Sequence, residues 1–180
     1  AGFFLPASLD DLVWQDMDAD GIREAGDNGI NGVTVTLTNP AGNPVNDANG
    51  NPVLPQLTAG GGLYLFTNLV PGTYRVNFPT APTVSGITYK LTKEDIGGGT
   101  TDATDINTDS DPNTSGQAET VTLISGENDL RIDAGYFVPA TIGNFVWHDL
   151  NADGDQDAGE PGIGSVPVTL TNVTTSVTTN

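Results

Sequence analysis

The sequence predicts an all-β Greek-key sandwich arranged in tandem repeats, and three observations carry that prediction. Short runs alternate apolar and polar residues at period two, turn signals punctuate the runs, and a long stretch of the chain recurs further along it. Helical spacing of apolar residues is nowhere sustained over three turns. A closed barrel is the alternative arrangement of the same strands.

The elements read as follows. Leu12-Val13-Trp14 ends a first strand, and Trp14 behind an apolar pair reads as core; its functional alternative is a carbohydrate-stacking platform. Val33, Val35 and Leu37 alternate with Thr34, Thr36 and Thr38, and Tyr74, Val76 and Phe78 with Thr73, Arg75 and Asn77. This is the pattern of strands with one face buried. Further strands are expected near 63–67, 87–91, 119–123 and 130–137. Pro71-Gly72, Asn49-Gly50, Gly60-Gly61-Gly62 and Ser125-Gly126 supply the turns between runs. About seven strands with such punctuation argue for two packed sheets.

The repeat is direct. Leu12-Val13-Trp14-Gln15-Asp16-Met17-Asp18-Ala19-Asp20-Gly21 recurs as Phe145-Val146-Trp147-His148-Asp149-Leu150-Asn151-Ala152-Asp153-Gly154, an offset of 133 residues set by Trp14 and Trp147. Val35-Thr36-Leu37-Thr38-Asn39 recurs as Val168-Thr169-Leu170-Thr171-Asn172, and Ala1-Gly2-Phe3-Phe4 as Ala134-Gly135-Tyr136-Phe137. Residues 1–4 are therefore expected to be the last strand of a preceding repeat, 5–138 a complete repeat, and 139–180 the start of the next, including a strand at 166–170. Both ends of the chain then fall inside repeats.

Charge narrows the function. The 180 residues carry 23 acids against 5 Lys and Arg, a formal net charge of −18. Such a surface repels nucleic acid and anionic lipid, so neither is an expected partner. No cysteine is present, so disulfides cannot staple the fold, and no apolar run approaches a membrane span. The single histidine, His148, has Gln15 as its repeat counterpart, so no catalytic histidine serves the full repeat. Paired carboxylates occur only inside acidic loops, and a non-enzymatic domain is expected.

Those loops have a metal-ligand spacing. Asp16-x-Asp18-x-Asp20-Gly21-Ile22-x-Glu24-x-x-Asp27 places acids at positions 1, 3, 5, 9 and 12 of a twelve-residue calcium loop, Gly at 6, and the Ile22 carbonyl at 7. The second copy supplies Asp149, Asn151, Asp153, the Asp155 carbonyl, Asp157 and Glu160. Like charges a few ångströms apart cost roughly 1–4 kcal/mol per pair, which a hard divalent cation removes. No His or Cys occupies a ligand position, so Ca2+ leads over zinc or copper. The shorter Asp27 at position 12 is the departure from the pattern. Strands flank these loops in place of helices. A further acidic cluster, Asp102, Asp105, Asp109 and Asp111, lies in a polar loop that calcium could clamp, with Asp133 as an added oxygen.

Together, Val13-Trp14-x-Asp16-x-Asp18-x-Asp20-Gly21, Gly29-Ile30-x-Gly32-Val33-x-Val35-x-Leu37, Tyr64-x-Phe66-x-Asn68-Leu69-x-Pro71-Gly72-Thr73-Tyr74-x-Val76, Asp109-Ser110-Asp111 and Ile132-Asp133-Ala134-Gly135-Tyr136 resemble the SdrD B-like domain family, the B-type repeats of bacterial serine-aspartate repeat surface proteins. The resemblance implies an immunoglobulin-like sandwich related to collagen-adhesin B-type domains, stabilised by calcium. It implies tandem repeats in an extracellular stalk, fibre or filament, on the bacterial surface or secreted, with neighbouring repeats or further copies as end-to-end partners. The alternative is an adhesin module that binds a host or matrix ligand.

Overall fold

The computed structural model describes residues 1–94 and 109–171, and no helix occurs among them. The chain divides into two compact units, Ala1–Pro139 and Ala140–Asn180. The strands of the first unit are β1 (Ala7–Gln15), β2 (Thr34–Thr38), β3 (Gln56–Leu57), β4 (Leu63–Leu69), β5 (Gly72–Asn77), β6 (Thr83–Val84), β7 (Ile87–Thr88), β8 (Lys90–Leu91), β9 (Gln117–Leu123), β10 (Asn128–Asp129) and β11 (Ala134–Phe137).

Two sheets form a sandwich. In the first, β1 is central: β4 lies antiparallel along one edge, while β10 and β11 pair parallel along the other, and β11 carries β8. The second runs β3-β2-β5-β9, antiparallel throughout. The chain changes sheet between β1 and β2, β3 and β4, β4 and β5, β8 and β9, and β9 and β10, as immunoglobulin-like sandwiches do.

One core fills the space between the sheets. Leu9, Val13, Tyr64, Phe66, Leu69, Ala134 and Tyr136 from the first sheet join Val35, Leu37, Tyr74, Val76, Ala118 and Leu123 from the second. Each large side chain contributes roughly 1.5–3 kcal/mol by leaving water. The threonines that alternate with Val35 and Leu37 face outward, so the period-two pattern of β2 translates directly into an inside and an outside. Trp14 is wholly buried, which makes it core and removes it as a stacking platform.

The first strand pairs parallel to the last two, and this fixes the polarity of the unit. The chain enters beside β10 at Ala7 and leaves beyond β11 at the other end of β1. These poles lie roughly 26 Å apart at an ordinary strand rise.

Three expected strands differ from the structure. The run 130–137 is broken, with β10 before it and only Ala134–Phe137 in the ladder, because the backbone of Asp133 turns to bond Asp111. The run 87–91 splits around Tyr89, whose N–H donates to the Pro82 carbonyl (2.9 Å). The strand at 166–170 is absent: the second unit has none among its described residues, and Val168 and Leu170 are 78 % and 75 % exposed. In the first unit the equivalent β2 pairs with β3 and β5. The described residues of the second unit offer no such partners, and a strand without a ladder does not hold.

Candidate metal centre

Asp16 opens the first loop immediately after β1, and its N–H donates to the Tyr136 carbonyl (2.7 Å), tying the loop to the last strand. Its carboxylate is turned inward. Oδ1 accepts the Ala19 N–H (2.7 Å), while Oδ2 accepts the Gly21 N–H (2.9 Å) and the Thr92 hydroxyl (2.5 Å). Burial pushes this carboxyl up, but the Thr92, Gly21 and Ala19 donors outweigh it and hold Asp16 below its ordinary value. Gly21 adopts φ +92°, and a Cβ there would meet the Lys93 carbonyl oxygen at 2.8 Å, so position 6 requires glycine on both counts.

Asp16, Asp18 and Asp20 each offer a carboxylate oxygen, and the three oxygens lie within 4.8 Å of one another. Oxygen ligands at about 2.3–2.6 Å from calcium are separated by up to roughly 5 Å, so this set fits that ion. Asp18 and Glu24 are held above their ordinary values, first by desolvation and then by the neighbouring acids, Asp20 foremost. Asp27 closes the loop: Oδ1 accepts the Met17 N–H (3.2 Å) and Oδ2 the Glu24 N–H (3.0 Å). The Ile22 N–H donates to Asp20 Oδ1 (2.8 Å).

The second loop repeats the bonds that loop N–H groups make to its carboxylates. Asp149 accepts the Ala152 N–H (2.6 Å) and the Gly154 N–H (2.9 Å), and Asp153 accepts the Asp155 N–H (2.9 Å). Glu160 accepts the Leu150 N–H (2.8 Å) and the Asp157 N–H (3.0 Å). Asp27 and Glu160 thus clamp the same two backbone positions despite the methylene between them. The loops differ at position 3, where the Asn151 amide donates to Asp153 (2.8 Å) and Asp157 (3.1 Å), and Asp18 carries a charge instead.

A second group of acids gathers beneath the first loop. Asp109 forms an isolated bridge with Ile22. Asp111 and Asp133 exchange bonds: the Asp111 N–H donates to the Asp133 carbonyl (3.1 Å), and the Asp133 N–H to Asp111 Oδ2 (2.5 Å). Asp133, immediately before β11, is buried, and its Oδ1 accepts the Leu12 N–H (3.0 Å). Asp11, also buried, hydrogen-bonds the Asp133 carboxyl. Desolvation raises both: Asp11 to about 7, with the hydrogen bond from Asp133 opposing and the Asp10 charge adding, and Asp133 to about 10, with the Asp11 charge adding. Asp102 and Asp105 lie outside the described residues.

Three participants were not singled out from sequence. Asp11 had a readable signal, because it lies in phase with Leu9 and Val13 on β1 and so points inward. Ser110 lies between two acids, and its own role depends on the fold bringing Gly21 and Gly135 to it. Thr92 carried no signal, since only the fold brings it to Asp16 across 76 residues.

Comparison with known proteins identifies the family of the chain. Serine-aspartate repeat-containing protein D of Staphylococcus aureus (strain Newman) is 36 % identical over 174 residues, covering 95 % of this chain and 11 % of that protein. Serine-aspartate repeat-containing protein F of Staphylococcus epidermidis is 38 % identical over 173 residues, covering 94 % of this chain and 9 % of its own length. The chain thus spans about a tenth of the length of these curated relatives. Among solved structures, GBS52, the minor pilin of Streptococcus agalactiae, aligns over 78 % of this chain and 48 % of its own at 15 % identity and a TM-score of 0.46. The family model described as the SdrD B-like domain matches residues 7–136 and again 140–180, and the chain belongs to that family.

Proposed function

We propose that this chain is a calcium-stiffened structural repeat of a bacterial extracellular or cell-surface stalk. One observation carries the reading: two twelve-residue acidic loops, 133 residues apart, hold their carboxylates with the same set of backbone bonds. In the first loop Asp16, Asp18, Asp20 and Glu24, with the Ile22 carbonyl and Asp27, are the donors. In the second they are Asp149, Asn151, Asp153, Asp157 and Glu160, with the Asp155 carbonyl. Asp109, Asp111 and Asp133, joined by Asp11, make a further oxygen-only centre. Bound calcium would supply charge neutralisation in a protein with a formal net charge of −18. The protein's own residues supply the frame, since Asp16 and Asp27 fix the loop backbone while the raised pKa values of Asp18 and Glu24 mark charge that a cation would relieve.

Membership of the family supports a non-catalytic, repeating role. So does the polarity of the first unit, which passes the chain from one pole to the other as an end-to-end array requires. Neighbouring repeats are then the partners, and the exterior of the cell is the location. Calorimetric calcium titration with metal analysis tests the reading, together with melting curves in calcium and in chelator. Micromolar or tighter uptake at both loops and a clear rise in melting temperature are expected. A chain that takes up no calcium, or melts identically in both conditions, refutes it.

A further inference from the structure

Ser110 is a serine with 0 % exposure standing between two acids. Its N–H donates to the Gly21 carbonyl (3.1 Å), and its hydroxyl accepts the Gly135 N–H (3.1 Å). The Gly135 carbonyl accepts the Thr92 N–H (3.0 Å), the Thr92 hydroxyl donates to Asp16, and Asp16 accepts the Gly21 N–H. These bonds close a ring: Asp16, Gly21, Ser110, Gly135, Thr92 and back to Asp16. Both sides of the ring lead to carboxylates. Asp16 belongs to the first loop, and Ser110 is followed directly by Asp111, whose N–H donates to the Asp133 carbonyl and whose carboxylate accepts the Asp133 N–H.

We infer that Ser110 is a positioning residue that couples the first loop to the Asp11, Asp111 and Asp133 centre. The inference rests on the reading that both centres take a cation. The physical route is one residue. The Gly21 N–H donates to Asp16 and its carbonyl accepts from Ser110, in two peptide planes joined at the Gly21 Cα, so a glycine held at a fixed φ by the metal-bound loop also holds Ser110. Consecutive Cα atoms are about 3.8 Å apart, so Asp111 cannot move independently of a pinned Ser110. The Ile22–Asp109 bridge holds the other neighbour of Ser110 in the same way. Thermodynamic linkage requires the effect to run both ways: filling either centre tightens the other by one common factor, about tenfold for an ordinary coupling.

The test is a calcium titration of the whole chain followed by residue-resolved NMR. The Ala19 and Gly21 amides report the loop, and the Leu12 and Asp133 amides report the other centre. Asp18→Ala should weaken calcium at the second centre by about tenfold, and Asp133→Asn should weaken the loop by the same factor. Ser110→Ala should bring both factors close to one while leaving the affinity of the 149–160 loop unchanged. Because Ser110→Ala strips the acceptor from a buried N–H and could unfold the unit, hydrogen exchange of the unaltered protein gives a second reading. The Ser110 and Gly135 amides should gain protection together with Ala19 and Gly21 as calcium is added. Calcium bound at both centres with independent affinities, or protection of Ser110 out of step with Gly21, overturns the coupling and leaves the proposed function standing. Absence of any calcium uptake overturns both.

Discussion

Asp16 and Asp18 are two residues apart in one loop and do different work. Asp16 is buried and accepts from Ala19, Gly21 and Thr92, so it organises the loop with or without a cation. Asp18 is exposed and crowded by its neighbours' charge, so its value lies in the ion. Asp16→Ala should therefore lower stability by about 1–3 kcal/mol even in chelator, the cost of stranding buried donors. Asp18→Ala should leave the chelator melting curve unchanged and lose most of the calcium-induced gain. Thermal melts of both variants in both buffers check this, and equal losses in chelator would contradict the division. The Asp11–Asp133 pair adds a pH dependence. Burial raises Asp11 to about 7, and burial with the Asp11 charge raises Asp133 to about 10, so the folded state holds protons that the unfolded chain releases above about pH 4. The stability from that pair is complete below about pH 4 and is lost as pH rises through 7, at up to about 1.4 kcal/mol per pH unit for each proton. In chelator the melting temperature should fall from pH 5 to 8, and Asp11→Asn should flatten the slope. A metal ion displaces the same protons, so the gain from calcium should grow over that interval. A melting temperature in chelator that rises with pH would exclude the pair as its source. The loop acids were legible because their spacing along the chain is itself the signal. The buried pair was half legible, through the strand phase of Asp11, while Thr92 depends on a tertiary contact that no local pattern encodes.

Turns and strands show the same division between local and long-range causes. β2 and β5 were readable from alternation because each has a partner on both edges and one face in the core. The fragmentation of the last strand was not readable, because it follows from a distant segment bonding Asp133. A further regularity emerges in the connections. Asn39, Asp47 and Asn113 each accept two backbone N–H groups, from the residues two and four positions on, and each is followed three residues later by a glycine of positive φ. The first two turns lie eight residues apart in sequence, and the Val53 N–H donates to the Val45 carbonyl (3.0 Å) across the base of the second. Asn and Asp suit this position because a short side chain reaches its own following backbone. Asp47 also accepts from the Asn68 amide (3.0 Å), so Asp47→Ala should lower the melting temperature more than Asp47→Asn. Gly62 is the stricter requirement. It adopts φ +94°, and a Cβ there would lie 2.2 Å from the Val13 carbonyl oxygen, at the point where the loop returns to the sandwich beside Gly29. Gly62→Ala should cost at least about 1–3 kcal/mol from the backbone conformation alone. The steric clash adds to that, and urea unfolding measures the sum. A loss below about 0.5 kcal/mol would mean the turn relocates freely.

At the scale of the molecule, the repeat was the most legible feature, because a 133-residue offset leaves identical residues in register at loop, strand and strand end. The family model's two matches, 7–136 and 140–180, follow the same periodicity. What the sequence did not reveal is that the second unit's described residues form no strand, although the 149–160 loop within it keeps the bonds from loop N–H groups to carboxylates that its counterpart makes. The acidic loop is therefore locally determined, whereas the strand that follows it needs its sandwich. This hierarchy predicts how a longer array behaves. Each repeat passes the chain from pole to pole, and its first loop lies at the pole where the chain leaves, since the Asp16 N–H is bonded to Tyr136 in the last strand. Without the proposed cation at that pole, crowded carboxylates stand close to the linker, and like charges separated by less than a Debye length of roughly 8–10 Å repel. Repulsion and a loosened loop both increase freedom between neighbouring repeats. In calcium, a protein of several whole repeats should scatter X-rays as a rod whose maximum dimension grows linearly with repeat number. In chelator the same protein should move toward flexible-chain scaling while each sandwich stays folded. High salt in chelator should restore part of the stiffness if repulsion dominates, and none of it if loop order dominates. A flexible profile already present in calcium would rule out the stiff array.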